Sequence, residues 1–143
     1  MSKIKRRYIL LIICILSIFI YYLPMPINHI NVFNNISIEK VSVVTYDYSE
    51  KYRSYEINES EEIDELTKFL DKIIVQRRTS KNKFSYKQNE NGEYMMVISN
   101  LKKDIQIYIK LYNHEYIAID NKLYKVIGKI DYNQLNSIIK NEN

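Results

Sequence analysis

The side chains best suited to chemistry in this 143-residue chain are its 14 tyrosines. A tyrosine buries a large apolar ring and keeps a polar hydroxyl, so a sheet face with several tyrosines suits the docking of a partner or a glycan. Alternation of apolar and polar residues over 104–112 predicts that Tyr108 and Tyr112 point away from the core. The same alternation predicts that Tyr116 and Tyr124 share this outer face. Cross-strand aromatic packing on a half-solvated sheet is the alternative interpretation.

A basic stretch at 76–88 is the second candidate binding surface. It begins with Arg77 and Arg78, continues with three lysines, and includes Phe84 and Tyr86. Such a stretch can contact anionic lipid headgroups or an anionic wall polymer. Basic and aromatic residues also mix in single-strand nucleic-acid sites, but the extracytoplasmic location predicted below argues against that partner. The alternative is a solvated helix end and loop that balances an acidic helix start.

Patterns typical of catalysis or metal binding are scarce. His29 and His114 belong to no metal or nucleophile motif, and the single cysteine excludes a multi-cysteine metal site. The acidic residues of 56–65 lack the spacing and glycine of a calcium loop and suit a helix start instead. A carboxylate pair for glycoside hydrolysis is defined only in space, but a small sheet with two short helices leaves little room for a cleft. The sequence therefore predicts no metal, no cofactor, no catalytic residue and no enzymatic activity.

The net charge of +4 arises at the beginning of the sequence. Four of the 21 basic residues fall within 3–7, and no acidic residue precedes Glu39, so 17 basic and 17 acidic side chains remain beyond that point. Because these charges balance, the net charge of the predicted folded part implies no nucleic acid or other polyanion as a partner.

The segment that follows these basic residues predicts a membrane anchor. Residues 8–23 carry no charge, and as a helix they would span about 24 Å, against about 30 Å for the hydrocarbon core of a bilayer. Inclusion of 24–27 gives a transmembrane segment at 8–27, with Tyr21 and Tyr22 in the aromatic belt at the outer interface.

The residues of this segment argue against its cleavage. A signal-peptidase site needs small side chains, yet the only alanine of the chain is Ala118. Cys14 is preceded by Ile13 and followed by further apolar residues, so it does not fit a lipoprotein cleavage site. The sequence predicts an uncleaved single-pass anchor in the cell membrane, with a cytoplasmic tail at 1–7 and an extracytoplasmic domain. A cleaved, secreted protein is the alternative.

Beyond a linker at 28–35, residues 36–143 predict one α+β domain. A main helix is expected at 58–75, where Asn58 can cap the first turn and an apolar stripe recurs at helical spacing. A short C-terminal helix is expected after Asp131, which can cap it.

Strand-like runs on either side of the main helix predict an antiparallel sheet of about five to six strands. They include a strand at 83–88 that continues into a hairpin at Asn91 and Gly92. Both helices are expected to pack on one face of this sheet, which leaves the other face to the tyrosines.

The order of these elements resembles small membrane-anchored or lipid-anchored extracytoplasmic domains of unknown function from Gram-positive, AT-rich bacteria. The resemblance covers 38–140 and is carried by a strand that enters a capped helix at 57–70 and by a hairpin at 116–125. These motifs are structural, so the resemblance implies no catalytic residue. The chain departs from the pattern at Cys14, which lacks a lipoprotein site, and in the long stretch at 79–92.

These predictions together favour a non-catalytic binding or adaptor module tethered to the membrane. Its expected partner is a membrane or envelope protein or an anionic wall polymer, and not a nucleic acid. One alternative is an immunity-type protein that sequesters a secreted peptide at the membrane. Another is a small cell-envelope enzyme.

Overall fold

A computed structural model describes residues 3–33, 36–47, 51–78, 93–112 and 114–140. Within these ranges the protein is α+β, as predicted, with one antiparallel sheet and three helices. The helices are α1 (Lys3–Tyr21), α2 (Ser60–Asp71) and α3 (Tyr132–Lys140), and two short 3-10 turns cover Ile27–His29 and Asn31–Phe33. The strands are β1 (Met25–Pro26), β2 (Lys40–Asp47), β3 (Lys51–Ile57), β4 (Ile74–Arg77), β5 (Glu93–Asn100), β6 (Ile105–Leu111), β7 (Tyr116–Ile119) and β8 (Lys122–Ile127).

The described part of the sheet has eight strands instead of the five to six that were predicted, in the order β1-β4-β8-β7-β6-β5-β2-β3. Neighbouring strands are antiparallel throughout. The unpredicted strands, β1 and β4, are short and lie together at one edge. The predicted strand at 83–88 and the hairpin at Asn91 and Gly92 fall outside the described residues.

One face of the sheet forms the core together with α2 and α3. Alternate residues of the central strands are buried, as Ile107 and Ile109 of β6 illustrate. Leu66 and Phe69 of α2 and Leu135 of α3 belong to the same buried cluster. Each such side chain gains about 1.5–3 kcal/mol by leaving water, so this burial holds both helices on one face. We call this the inner face of the sheet and the opposite side the outer face.

α2 differs from its prediction at both ends. Its N-cap residue is Glu59 instead of Asn58, and this cap has no side-chain hydrogen bond. The helix ends at Asp71, after which the Ile73 N–H donates to the Leu70 carbonyl at 2.9 Å and the chain enters β4. Ile73 remains in the core, so the apolar stripe was correct to that point. Periodicity alone does not separate a last helical turn from the β-branched start of a strand.

α1 carries large apolar side chains that are exposed along its length. Their exposed fractions lie between 45% at Ile9 and 66% at Phe19. The predicted segment at 8–27 is not one helix, because α1 ends at Tyr21 and Met25–Pro26 pairs with β4. Among the described residues, no helix combines the length and the apolar composition that a membrane crossing requires.

The described part of the predicted linker, 28–33, packs against the folded domain. Ile27 and Ile30 are buried, with exposed fractions of 1% and 4%. The Ile27 N–H donates to the carbonyl of Ile73 at 3.0 Å, which ties the segment to the end of α2. Two of the six residues at 28–33 are asparagine, which is typical of a linker, but the buried Ile30 and the buried Ile27 just before the stretch attach it to the core.

The C-terminal helix matches its prediction. The Gln134 N–H donates to the side-chain oxygen Oδ1 of Asp131 at 3.0 Å, which is the expected N-cap. Leu135, Ile138 and Ile139 are buried, so α3 presents its apolar stripe to the inner face.

Replacement of Ile27 by alanine tests whether the 27–33 segment is part of the core. We expect Ile27→Ala to lower the free energy of unfolding by about 2–5 kcal/mol, because it leaves a cavity at a fully buried site. Urea unfolding of the full chain in a mild detergent, followed by circular dichroism, measures the change. Asn28→Ala is the matched control, since Asn28 is exposed and should change stability by less than about 0.5 kcal/mol. Equal behaviour of the two variants would contradict the placement of this segment in the core.

Candidate binding face

The outer face is the part of the sheet that α2 and α3 leave uncovered. Tyr108 of β6 is 50% exposed and Met95 of β5 is 40% exposed, although both lie in central strands. Lys110 of β6 lies between its cross-strand partners Met95 of β5 and Ala118 of β7. The outer face therefore exposes apolar and aromatic side chains on the central strands of the sheet.

A row of tyrosines crosses the outer face at right angles to the strands. Tyr46 and Tyr52 are cross-strand partners with ring centroids 4.6 Å apart. Further along, the Tyr112 N–H donates to the Tyr116 carbonyl at 3.2 Å. The strand registers give the whole row, from one sheet edge towards the other, as Tyr52, Tyr46, Glu93, Tyr112, Tyr116, Lys125 and Gln76. The sequence pattern predicted Tyr112 and Tyr116 on this face; Tyr46 and Tyr52 were not predicted, although the alternation around the β2–β3 hairpin could have indicated them.

A shallow groove of about 390 Å³ lies beside this row. The small residue Ala118 lines it together with Tyr108 and Tyr112. The remaining lining residues are Met95, Ile109, Lys110, Asp120 and Asn121. A groove of this size can accept one large side chain of a partner.

Tyr108 is held in place by the turn between β7 and β8. Its N–H donates to Oδ1 of Asp120 at 2.9 Å, and its carbonyl accepts from the Asp120 N–H at 2.9 Å. Its hydroxyl donates to Oε1 of Gln106 at 2.8 Å. Asp120 and Asn121 have φ angles of 46° and 66°, the left-handed conformation that two-residue hairpin turns require and that Asp and Asn tolerate. The main chain of Tyr108 is therefore tied to the β7–β8 turn, and its half-exposed ring is hydrogen-bonded through the hydroxyl to Gln106.

The lysine in the groove is paired with a glutamate. Nζ of Lys110 lies 3.1 Å from Oε2 of Glu93 and 5.0 Å from the ring centroid of Tyr112. An exposed ion pair of this kind contributes little to stability, but it leaves this part of the groove without net charge. The groove therefore suits an apolar or aromatic group better than a highly charged one.

Tyr124 lies on the inner face, so the prediction that it shares the outer face with Tyr116 is wrong. Its cross-strand partner is Ile117, and its exposed fraction is 5%. The β7–β8 turn sets a register in which even-numbered residues of β7 lie opposite odd-numbered residues of β8. Inward-facing residues are therefore odd-numbered in β7 and even-numbered in β8. Burial raises the pKa of Tyr124 above its ordinary value of 10.0, and the nearby Arg77 guanidinium opposes this shift.

The two arginines of the basic stretch point to different places. Arg77 pairs with Tyr124 in the sheet register, and its guanidinium lies 4.1 Å from the ring centroid of Tyr21 in α1. Arg78 lies 5.1 Å from the ring centroid of Tyr116 and so joins the tyrosine row. Its Nη1 is buried and has no hydrogen-bond acceptor among the described residues. Tyr86, the last predicted site residue, falls outside the described residues.

His114 has a structural environment. Its Nδ1 lies 3.0 Å from the Ile130 carbonyl, and its ring meets the edge of Tyr132 with centroids 4.9 Å apart. Tyr132 stacks in turn on Tyr94, whose hydroxyl donates to Oδ1 of Asn136 at 2.9 Å. Within the described ranges, no three His, Cys, Asp or Glu side chains are grouped so that they could hold a metal ion.

No protein-family model, curated protein or solved structure matches the chain. The resemblance of 38–140 to small anchored domains stays a prediction. The function proposed below is therefore based on the geometry of the outer face.

The buried hydroxyl of Tyr124 predicts an alkaline loss of stability. A tyrosine whose pKa is raised by folding contributes stability that is complete below the unfolded pKa and is lost as the pH rises through the folded pKa. We therefore expect the free energy of unfolding to fall less steeply in Tyr124→Phe than in the wild type between about pH 9 and about pH 11. Urea unfolding at a series of pH values measures both slopes. Tyr52→Phe is the control for loss of one tyrosine, since Tyr52 is 74% exposed. Identical slopes for wild type and Tyr124→Phe would contradict the shift.

Proposed function

We propose that this protein is a non-catalytic binding module, anchored in the cell membrane by its apolar N-terminal segment, that presents the outer face to a partner outside the cell. The observation that supports this most directly is the groove lined by Ala118 and by the half-exposed Tyr108. Tyrosines that are rigid and half-exposed before binding lose little conformational entropy on docking, and they are enriched among residues that dominate binding energy.

The chemistry of the groove favours a protein partner over a wall polymer. Lys110 is paired with Glu93, and the Asp120 carboxylate already accepts a hydrogen bond from the Tyr108 N–H. A polyanion would therefore find no uncompensated cation among these groups. An apolar or aromatic side chain of an envelope or membrane protein would instead bury the faces of Tyr108 and Met95.

The membrane part of the proposal is supported by the surface of α1. Its apolar side chains are exposed from Tyr8 to Tyr21, which is unfavourable in water and favourable in a lipid environment. Arg6 and Arg7 lie near its first turns, and basic residues at one end of an apolar helix favour the cytoplasmic side of a membrane. This polarity supports the proposed extracytoplasmic location of the domain.

Site-specific photo-crosslinking tests the proposed contact. A benzophenone amino acid at Tyr108 should give one dominant protein adduct in intact cells, whereas the same probe at Glu65, exposed on α2, should not. Ala118→Leu fills the groove without entering the core, so it should reduce the adduct of a Tyr112 probe by about tenfold or more, as expected for a hot-spot contact. Ala118→Ser is the matched control and should leave the adduct nearly unchanged.

The outcomes separate the proposal from its rivals. A short secreted peptide in the adduct would identify the immunity-type function. An adduct yield that is the same in Ala118→Leu and Ala118→Ser would contradict the groove as the binding site. Equal labelling from Tyr108 and Glu65 would contradict the choice of the outer face.

A further inference from the structure

Arg78 lies on the outer face, directly after the end of β4. Arg77 is the cross-strand partner of Tyr124, whose side chain is buried on the inner face. Because successive side chains of an extended chain point to opposite sides of a sheet, Arg78 is directed outwards. Its guanidinium carbon lies 5.1 Å from the ring centroid of Tyr116, which belongs to the tyrosine row. Arg78 is therefore a cation at the border of the candidate binding face.

The guanidinium of Arg78 has an aromatic contact but no opposite charge. Arg78 is half-buried, and its Nη1 is buried without a hydrogen-bond acceptor among the described residues. Within the same ranges Arg78 forms no ion pair, whereas Nζ of Lys110 lies 3.1 Å from Oε2 of Glu93. Removal of a charged donor from water is unfavourable unless an oxygen acceptor replaces the lost water. Arg78 therefore has donor capacity that the described part of the chain does not use.

This guanidinium lies close to the groove lined by Ala118. Tyr116, which Arg78 contacts, is two residues from Ala118 along β7, a separation of about 7 Å in a strand. An extended segment also places its same-side side chains about 7 Å apart. One segment of a partner can therefore put one side chain into the groove and the next side chain on the same side beside Arg78.

The acceptor that fits Arg78 best is a carboxylate. A guanidinium presents its N–H donors in a planar fork that matches the two oxygens of a carboxylate. The contact with the ring of Tyr116 favours one orientation of this fork. In a protein partner, an aspartate, a glutamate or the C-terminus supplies both the acceptor and the negative charge.

We infer that Arg78 binds a carboxylate of the partner, while a neighbouring apolar side chain of the same segment occupies the groove lined by Ala118. The inference rests on the proposed function and adds to it the chemistry of the recognised segment. That segment carries an acidic group and an apolar residue on the same side of an extended backbone.

Substitutions at Arg78 test the contact through the adduct of the Tyr112 benzophenone probe in intact cells. Arg78→Met removes the donors and keeps an unbranched apolar side chain, so it should reduce the adduct by about tenfold or more. Arg78→Lys keeps the charge but loses the planar fork, and it should also lose most of the adduct. Lys125→Gln is the matched control, because this exposed cation lies opposite Tyr116. It should change the adduct by less than about twofold.

The stability of Arg78→Met separates a binding role from a structural one. Urea unfolding of the full chain in a mild detergent should give a midpoint equal to or higher than that of the wild type, because the substitution removes a buried donor without an acceptor. A lowered midpoint would make the loss of the adduct a consequence of misfolding and would overturn the inference.

Mass spectrometry of the adduct tests the chemistry of the partner. The crosslinked segment should contain an aspartate, a glutamate or the C-terminus within about three residues of the crosslinked position. A segment without any such carboxylate would overturn the inference. Equal losses in Arg78→Met and Lys125→Gln, with full retention in Arg78→Lys, would indicate general attraction of a polyanion and would also overturn it.

Comparison with Ala118→Leu separates this inference from the proposed function. A full adduct in Arg78→Met together with a reduced adduct in Ala118→Leu would overturn only the contact of Arg78. A full adduct in both variants would contradict the outer face as the binding site.

Discussion

The two-residue turn at Asp120 and Asn121 is the constraint on which the candidate binding face depends. Its left-handed backbone sets the register of β7 against β8, and this register decides which side chains reach the outer face. Tyr116 is directed outwards and Tyr124 inwards as a consequence. The same turn supplies the carboxylate that binds the main chain of Tyr108. One local conformation thus determines both the composition of the face and the main-chain position of Tyr108.

The sheet has a candidate binding face because the packed helices cover only one of its two sides. Both packed helices bury their apolar stripes on the inner face, where the core residues collect. The outer face then has to remain acceptable to water while it holds apolar groups such as Met95 and Val97. It does so by mixing these groups with tyrosines and with the paired charges of Lys110 and Glu93, and Ala118 leaves the groove between them.

The sequence predicted correctly those features whose residue pattern lies within a single helix or strand. Alternation along β6 identified the inward positions 107, 109 and 111, and the cap at Asp131 identified the start of α3. It was a poor guide where the outcome depended on pairing between distant segments. β1 and β4 are too short for a periodic pattern and exist because each pairs with a neighbour. The face of Tyr124 depended on a turn register, which alternation within a single strand does not contain.

The connection between α1 and the sheet has a mechanical consequence. Only Tyr22, Leu23 and Pro24 separate α1 from β1, and Gln76 and Arg77 hold the helix end from the neighbouring strand. Because this connection is three residues long and is held by two hydrogen bonds, it does not let α1 rotate independently of the sheet. A rotation of α1 is therefore transmitted to the sheet, so that the helix and the tyrosine row rotate together.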